Sequence, residues 1–180
     1  KGELLYELTL DLYRRLEARG MRMIAWEDAF IFPNSYGYSE SYGWNIFDRL
    51  PKDITWAIWY YDTEKGRDPI QDIKTRFHDE KGVPVLGAGA YYCGGFRVMG
   101  EIFSSANGGD GILATHWYTV ASWADYATAA PGAFKTVAAT AAYGWNPEFP
   151  YHWQGDSDPV FELGRRLYEI PVTELGDSPR

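Results

Sequence analysis

Four short stretches of this 180-residue chain set aromatic rings beside groups that can hold or move a proton. They are Trp26-Glu27-Asp28, Trp59-Tyr60-Tyr61-Asp62, Tyr91-Tyr92-Cys93 and His116-Trp117-Tyr118-Thr119. Carboxylates can act as acids or bases when their surroundings tune them, and flat rings offer a bound molecule an apolar face with a polar edge. Their spacing is regular at first: 59 − 26 = 33 positions from Trp26 to Trp59 and 92 − 59 = 33 from Trp59 to Tyr92, then 117 − 92 = 25 to Trp117.

Each stretch ends an apolar run of buried-strand type. The runs are "MRMIAW" (residues 21–26), "DITWAIWYYD" (Asp53 to Asp62), "VPVLGAGAYY" (Val83 to Tyr92) and "DGILATHWYT" (Asp110 to Thr119). Helical patterns alternate with them. Leu5, Leu8, Leu12 and Leu16 recur at helical spacing before Gly20, a C-terminal stop; Ile70, Ile73 and Phe77 share a face before Gly82; "FRVMGEIFSSANGG" reads as a third helix. Two more are expected, around Gly132 to Tyr143 and from Pro159 to Tyr168, the latter started by Asp158 and Pro159.

Strands and helices that alternate in this way imply right-handed parallel βα units, hence an α/β fold. In such folds the carboxyl ends of the strands form the functional face, where all four aromatic stretches fall. The length favours one domain over residues 1–180, with a leading helix over 1–20 and a C-terminal loop and helix over 148–180. An open doubly wound sheet and a (β/α)₈ barrel both satisfy the alternation. A full barrel takes about 250 residues, so four units and a leading helix correspond to half of one, the second half if the helix belongs to an earlier unit.

Composition narrows the partners. The formal net charge is −8 and no Lys or Arg run occurs, which argues against nucleic acid or an anionic membrane surface. Cys93 stands alone, excluding an intrachain disulfide framework and a Cys-rich metal site. No apolar run approaches the roughly 20 residues that span a bilayer. Gly87-Ala88-Gly89 lies inside a strand pattern and opens no helix, so a nucleotide loop is disfavoured and no cofactor is expected. Aromatics reach 17%, with 8 Trp and 14 Tyr. A pocket of tryptophans and tyrosines rimmed by carboxylates suits a sugar, whose C–H faces stack on rings while its hydroxyls meet polar groups. Paired carboxylates are also what glycoside hydrolysis uses.

The ordered series "RGMRMIAWED", "LPKDITWAIWYYD", "GVPVLGAGAYY", "GILATHWYT" and "AATAAYGWNP" resembles the C-terminal half of the catalytic barrel of family 20 glycoside hydrolases, the β-N-acetylhexosaminidases, over about residues 4 to 147. The resemblance implies strands five to eight of a (β/α)₈ barrel and substrate-assisted hydrolysis, in which the substrate's acetamide oxygen attacks the anomeric carbon. It implies that Trp26, Trp59 and Trp117 wall a sugar pocket and that Tyr91 or Tyr92 donates to the acetamido group. Glu27 and Asp28 then become polar groups at the rim or directly behind it, and Asp62 joins the substrate-binding set. The pattern departs from the family at Cys93 or Gly94 and at Thr119, where acidic residues are expected. The family's acid pair ends its fourth strand, which would precede Lys1, so the resemblance implies a proton donor outside this chain.

Blander roles stand beside these. Glu27 and Asp28 also suit a helix N-terminus or a salt bridge, His116 suits a packed core, and Trp44 and Trp56 read as packing. "WNPEFPYHW" (Trp145 to Trp153) reads as a packed loop. A non-catalytic carbohydrate-binding domain and a different glycosidase using Glu27 and Asp62 are the functional alternatives. A half barrel with open edges is further expected to associate with its missing half or with itself.

Overall fold

The computed structural model describes residues 1–31, 42–59, 67–89, 93–104, 108–115, 136–137 and 139–146. Four strands form one sheet, parallel throughout and in chain order: β1 (Ile24–Trp26), β2 (Thr55–Trp59), β3 (Val85–Gly89) and β4 (Ile112–Ala114). Helix α1 (Gly2–Glu17) precedes β1, and a 3-10 helix over Trp44–Arg49 precedes β2. Helix α2 (Arg67–Lys74) widens into a π-helical turn over Thr75–Glu80 before β3, and α3 (Cys93–Phe103) joins β3 to β4. The α/β class and the parallel order expected from the alternation are both present. β1 is shorter than its apolar run, the ends of the other three runs lie outside the described residues, and α3 starts before the expected Phe96. Residues 136–137 and 139–145 are helical where a helix was expected. The helix expected over 159–168 and the whole of 148–180 lie outside the described residues.

Register divides the strand residues into two faces, because successive side chains of a strand point opposite ways. Ala25 pairs with Trp56, Trp56 with Val85, Ile58 with Gly87, and Gly87 with Ile112. This face packs on the helices. Trp56, Ile58 and Val85 join Ile70, Ile73, Phe77, Val98, Met99, Ile102 and Phe103 in one buried core. Phe47 from the 3-10 helix and Phe30 close the core around Trp56, with ring centroids 5.1 and 4.7 Å from it. The other face carries Ile24, Trp26, Thr55, Ala57, Trp59, Leu86, Ala88 and Leu113, and none of these belongs to the helix-side core.

The two glycines of β3 explain how α3 comes so close. A Cβ at Gly87 would stand 2.5 Å from the Phe103 ring and 3.1 Å from Met99 Sδ; one at Gly89 would stand 2.5 Å from the Phe96 ring. Both positions face the helices. The Gly87-Ala88-Gly89 run is therefore a pair of notches that receive aromatic rings.

Helix α1 departs from the expected stripe. Its buried line runs through Leu5, Thr9, Tyr13 and Leu16, whereas Leu8 and Leu12 are 55% and 45% exposed. Thr9 can take a core position because its hydroxyl donates to the Leu5 carbonyl at 2.8 Å, leaving its methyl to pack. The helix ends as expected at Gly20, whose φ of 67° favours glycine: the Gly20 N–H donates to Glu17 O at 2.8 Å and the Met21 N–H to Leu16 O at 3.0 Å. The Tyr13 hydroxyl donates to Asp53 at 2.9 and 3.0 Å, which holds α1 at the entry to β2 and pushes the phenol up to about 12.

Gly89→Ala is expected to lower unfolding free energy by about 1–3 kcal/mol, the usual cost of overpacking a filled core. Combined with Phe96→Leu it should cost less than the two single changes added together. Chemical denaturation checks this, and a Gly89→Ala chain as stable as wild type contradicts the notch.

Candidate functional site

Trp26 and Trp59 share the face that the helix-side core leaves out. Trp26 pairs with Ala57 and Trp59 with Ala88, so the second ring stands two residues further along its strand than the first. Both lie at the carboxyl ends of their strands. The residues opposite them are alanines, both buried, so the floor beside the rings is shallow. Trp26 is 36% exposed and Trp59 is half-buried. The sheet thus presents two indoles on adjacent strands, partly open, over small neighbours.

Of the two places expected for Glu27, at the rim or behind it, the structure gives the second: the side chain is fully buried. The parallel ladder explains why. The Thr55 N–H donates to the Met23 carbonyl at 3.0 Å, and steps of two bring the Trp59 N–H to the level of the Glu27 carbonyl. At that point the chain turns, and the Glu27 carbonyl accepts the Phe30 N–H at 2.7 Å instead. The Glu27 side chain supplies the missing acceptor: Oε1 takes the Trp59 N–H at 3.2 Å. Oε2 is buried with no hydrogen-bond partner. Burial pushes the carboxyl well above its ordinary value; the backbone N–H bonds from Glu27 itself and from Trp59 oppose this, and the charge of Asp28 adds to it. Asp28 is exposed, as a rim group would be.

A comparable tie joins β3 and β4. The Thr115 hydroxyl and N–H both donate to the Gly89 carbonyl, at 2.8 and 3.0 Å. Neither this role for Thr115 nor the ladder role of Glu27 was foreseen. A carboxylate placed directly after a strand was the available signal for the second. Tyr91, Tyr92, Asp62, Trp117, His116 and Thr119 lie outside the described residues. Trp56 is core, as expected, and Trp44 stacks on Phe47 at 5.8 Å with Lys81 Nζ 4.9 Å from its ring. Among the described residues no group of three or more His, Cys, Asp and Glu could hold a metal ion, and no helix is long and apolar enough to cross a membrane.

Comparison with protein family models, with curated proteins and with solved structures finds no match to this chain.

The buried carboxyl makes stability depend on pH in a definite direction. Below its ordinary value both folded and unfolded chains carry the proton, and the contribution is full. As pH rises, the unfolded chain ionises first, so stability falls until pH has passed the raised folded value. Each unit between the two values is worth about 1.4 kcal/mol. Glu27→Gln keeps the acceptor and removes the titration. Its stability relative to wild type should therefore rise as pH climbs above the ordinary carboxyl value and level off once pH has passed the raised folded one. Parallel melting curves across that range check it, and a constant gap contradicts a buried neutral carboxyl.

Proposed function

We propose that this chain is the sugar-clasping part of a glycoside hydrolase resembling the β-N-acetylhexosaminidases, its four strands forming the second half of a (β/α)₈ barrel. The carrying observation is the pair of partly open indoles, Trp26 and Trp59, on one face of a parallel sheet at its strand ends. Indole rings of this kind suit the C–H face of a pyranose, and a parallel sheet whose second face also buries small residues, here Ala57 and Ala88, is what the inside of a barrel requires. Asp28, exposed beside Trp26, is positioned to meet hydroxyls. Tyr91 or Tyr92, Asp62 and Trp117 complete the proposed clasp. The tyrosine hydroxyl would hold the acetamide oxygen in line for attack, a positioning effect worth up to roughly 7 to 11 kcal/mol in ideal cases. The chain's own adjacent Asp-Glu pair, Asp79-Glu80, falls on the π-helical turn before β3 and away from the strand ends. The proton donor is accordingly assigned to a segment outside this chain.

A specific observation favours a second function, a different glycosidase with Glu27 as its acid. A carboxyl buried away from water with one oxygen unpartnered has the character of a general acid. One assay separates the two. The 180-residue chain should bind an aryl N-acetylglucosaminide without hydrolysing it, and Trp59→Ala should weaken that binding by at least about five-fold, since a buried aromatic contact contributes about 1 kcal/mol or more. Hydrolysis by the chain that Glu27→Gln abolishes would move catalysis onto Glu27. Unchanged binding in Trp59→Ala would break the clasp.

The same proposal leaves two strand edges to be covered. Leu4, Leu8, Leu12 and Met21 add exposed apolar surface on α1 and in the segment that leads into β1. The chain is expected to self-associate or to pair with a separately supplied first half. Sedimentation velocity checks this; a monodisperse monomer with a cooperative melt contradicts the half barrel.

A further inference from the structure

We propose that Glu27 is the positioning residue of the site, its side chain standing in for a ladder carbonyl so that the end of β2, and the Trp59 ring with it, is fixed relative to Trp26. The geometry is unusual in one respect. Strand ends commonly finish on backbone acceptors, whereas here the chain turns at Glu27, gives its own carbonyl to Phe30, and hands the next rung to a side chain. That rung belongs to Trp59, one of the two partly open indoles, and the residue before Glu27 is the other. A single buried side chain thus holds the rings on both strands in register. Phe30, drawn back by the same turn, is buried and packs 4.7 Å from Trp56.

The surroundings favour the neutral acid over the carboxylate. Thr55–Trp59 brings no ionisable side chain to Glu27, and the charged group acting on it from its own strand end is Asp28, which disfavours a second negative charge. Ionisation would leave a charge in the interior with backbone N–H groups as its donors and no hydrogen-bond partner on Oε2. Water would be drawn in and the strand end would move. Ring placement, and any affinity that depends on it, is therefore lost as pH rises through the carboxyl's raised value.

The inference rests on the carbohydrate proposal only for the identity of the ligand, and the experiment keeps the two apart. The full 180-residue chain, labelled with 15N-tryptophan and assigned with a Trp59→Phe control, is titrated with pH in the absence and presence of N-acetylglucosamine. The Trp59 amide should shift along one titration curve in wild type and stay constant in Glu27→Gln. Its protection from exchange should survive in Glu27→Gln and fall at least about ten-fold in Glu27→Ala, the change expected for one lost hydrogen bond. N-acetylglucosamine should move the Trp59 indole signal in wild type and Glu27→Gln, with wild-type affinity falling along the same titration curve. A Trp59 amide that ignores pH, or that stays protected in Glu27→Ala, overturns the positioning role. So does sugar affinity independent of pH while the amide titrates. If the sugar moves no Trp59 signal while the amide behaves as stated, positioning stands and the carbohydrate proposal fails. If Glu27→Ala does not fold, the wild-type titration against Glu27→Gln decides alone.

Discussion

A parallel strand cannot follow its neighbour directly; the chain must cross back over the sheet, and the crossover is right-handed. With strands laid down in chain order, every crossover then falls on the same side. This handedness constraint accounts for most of the molecule. It puts α2 and α3 on one face with the aromatic core between, leaves the opposite face out of that core, and points all four carboxyl ends the same way. Residues separated by 33 positions, Trp26 and Trp59, become neighbours without any contact between them being specified locally.

Where the ends gather, the backbone runs out of partners. A ladder supplies each N–H with a carbonyl only while both strands continue, and a buried donor without a partner costs about 1–3 kcal/mol. The two outer strand pairs meet this need in different ways. Thr115 adds its hydroxyl to a backbone bond already made to Gly89, reinforcing β3 against β4. Glu27 replaces the backbone bond, which lets β1 end early and turn. The first arrangement has no charge to lose. The second places a titratable group in the interior, so the end of β2 is held by something that pH can change.

The architecture was legible because it depends on periodicity. Alternating runs and stops at Gly20 and Gly82 specify order, and order specifies the parallel sheet. Details that depend on a partner remote in sequence were not. Apolar spacing selected Leu8 and Leu12 for the core of α1, but the buried position is Thr9, and satisfying its hydroxyl within the helix makes it as apolar as the position requires. The burial of Glu27 depends on a backbone N–H 32 residues away and on where a neighbouring strand stops. Residue type alone pointed toward solvent, since an unpaired carboxylate is rarely buried. Gly87 and Gly89 lie inside a strand, as their pattern indicated, yet their use as notches depends on rings from a helix that follows them.

The two tryptophans of β2 show how little separates structure from site. Trp56 and Trp59 are three residues apart, an odd number, so they point to opposite faces. Trp56 meets Phe30, Phe47 and Phe77 and is buried completely, even at the cost of an indole N–H without a partner. The apolar area of its ring outweighs that cost: burying an aromatic side chain contributes about 1.5–3 kcal/mol or more, against about 1–3 for the lost hydrogen bond. Trp59, on the other face, stands beside alanines and keeps part of its ring open. Insertion of one residue anywhere between them would put both rings on the same face, emptying either the core or the site. The strand therefore fixes the spacing of a packing residue and a ring available for binding by one rule, and the Glu27 side chain accepts the backbone N–H of the residue that carries the second ring.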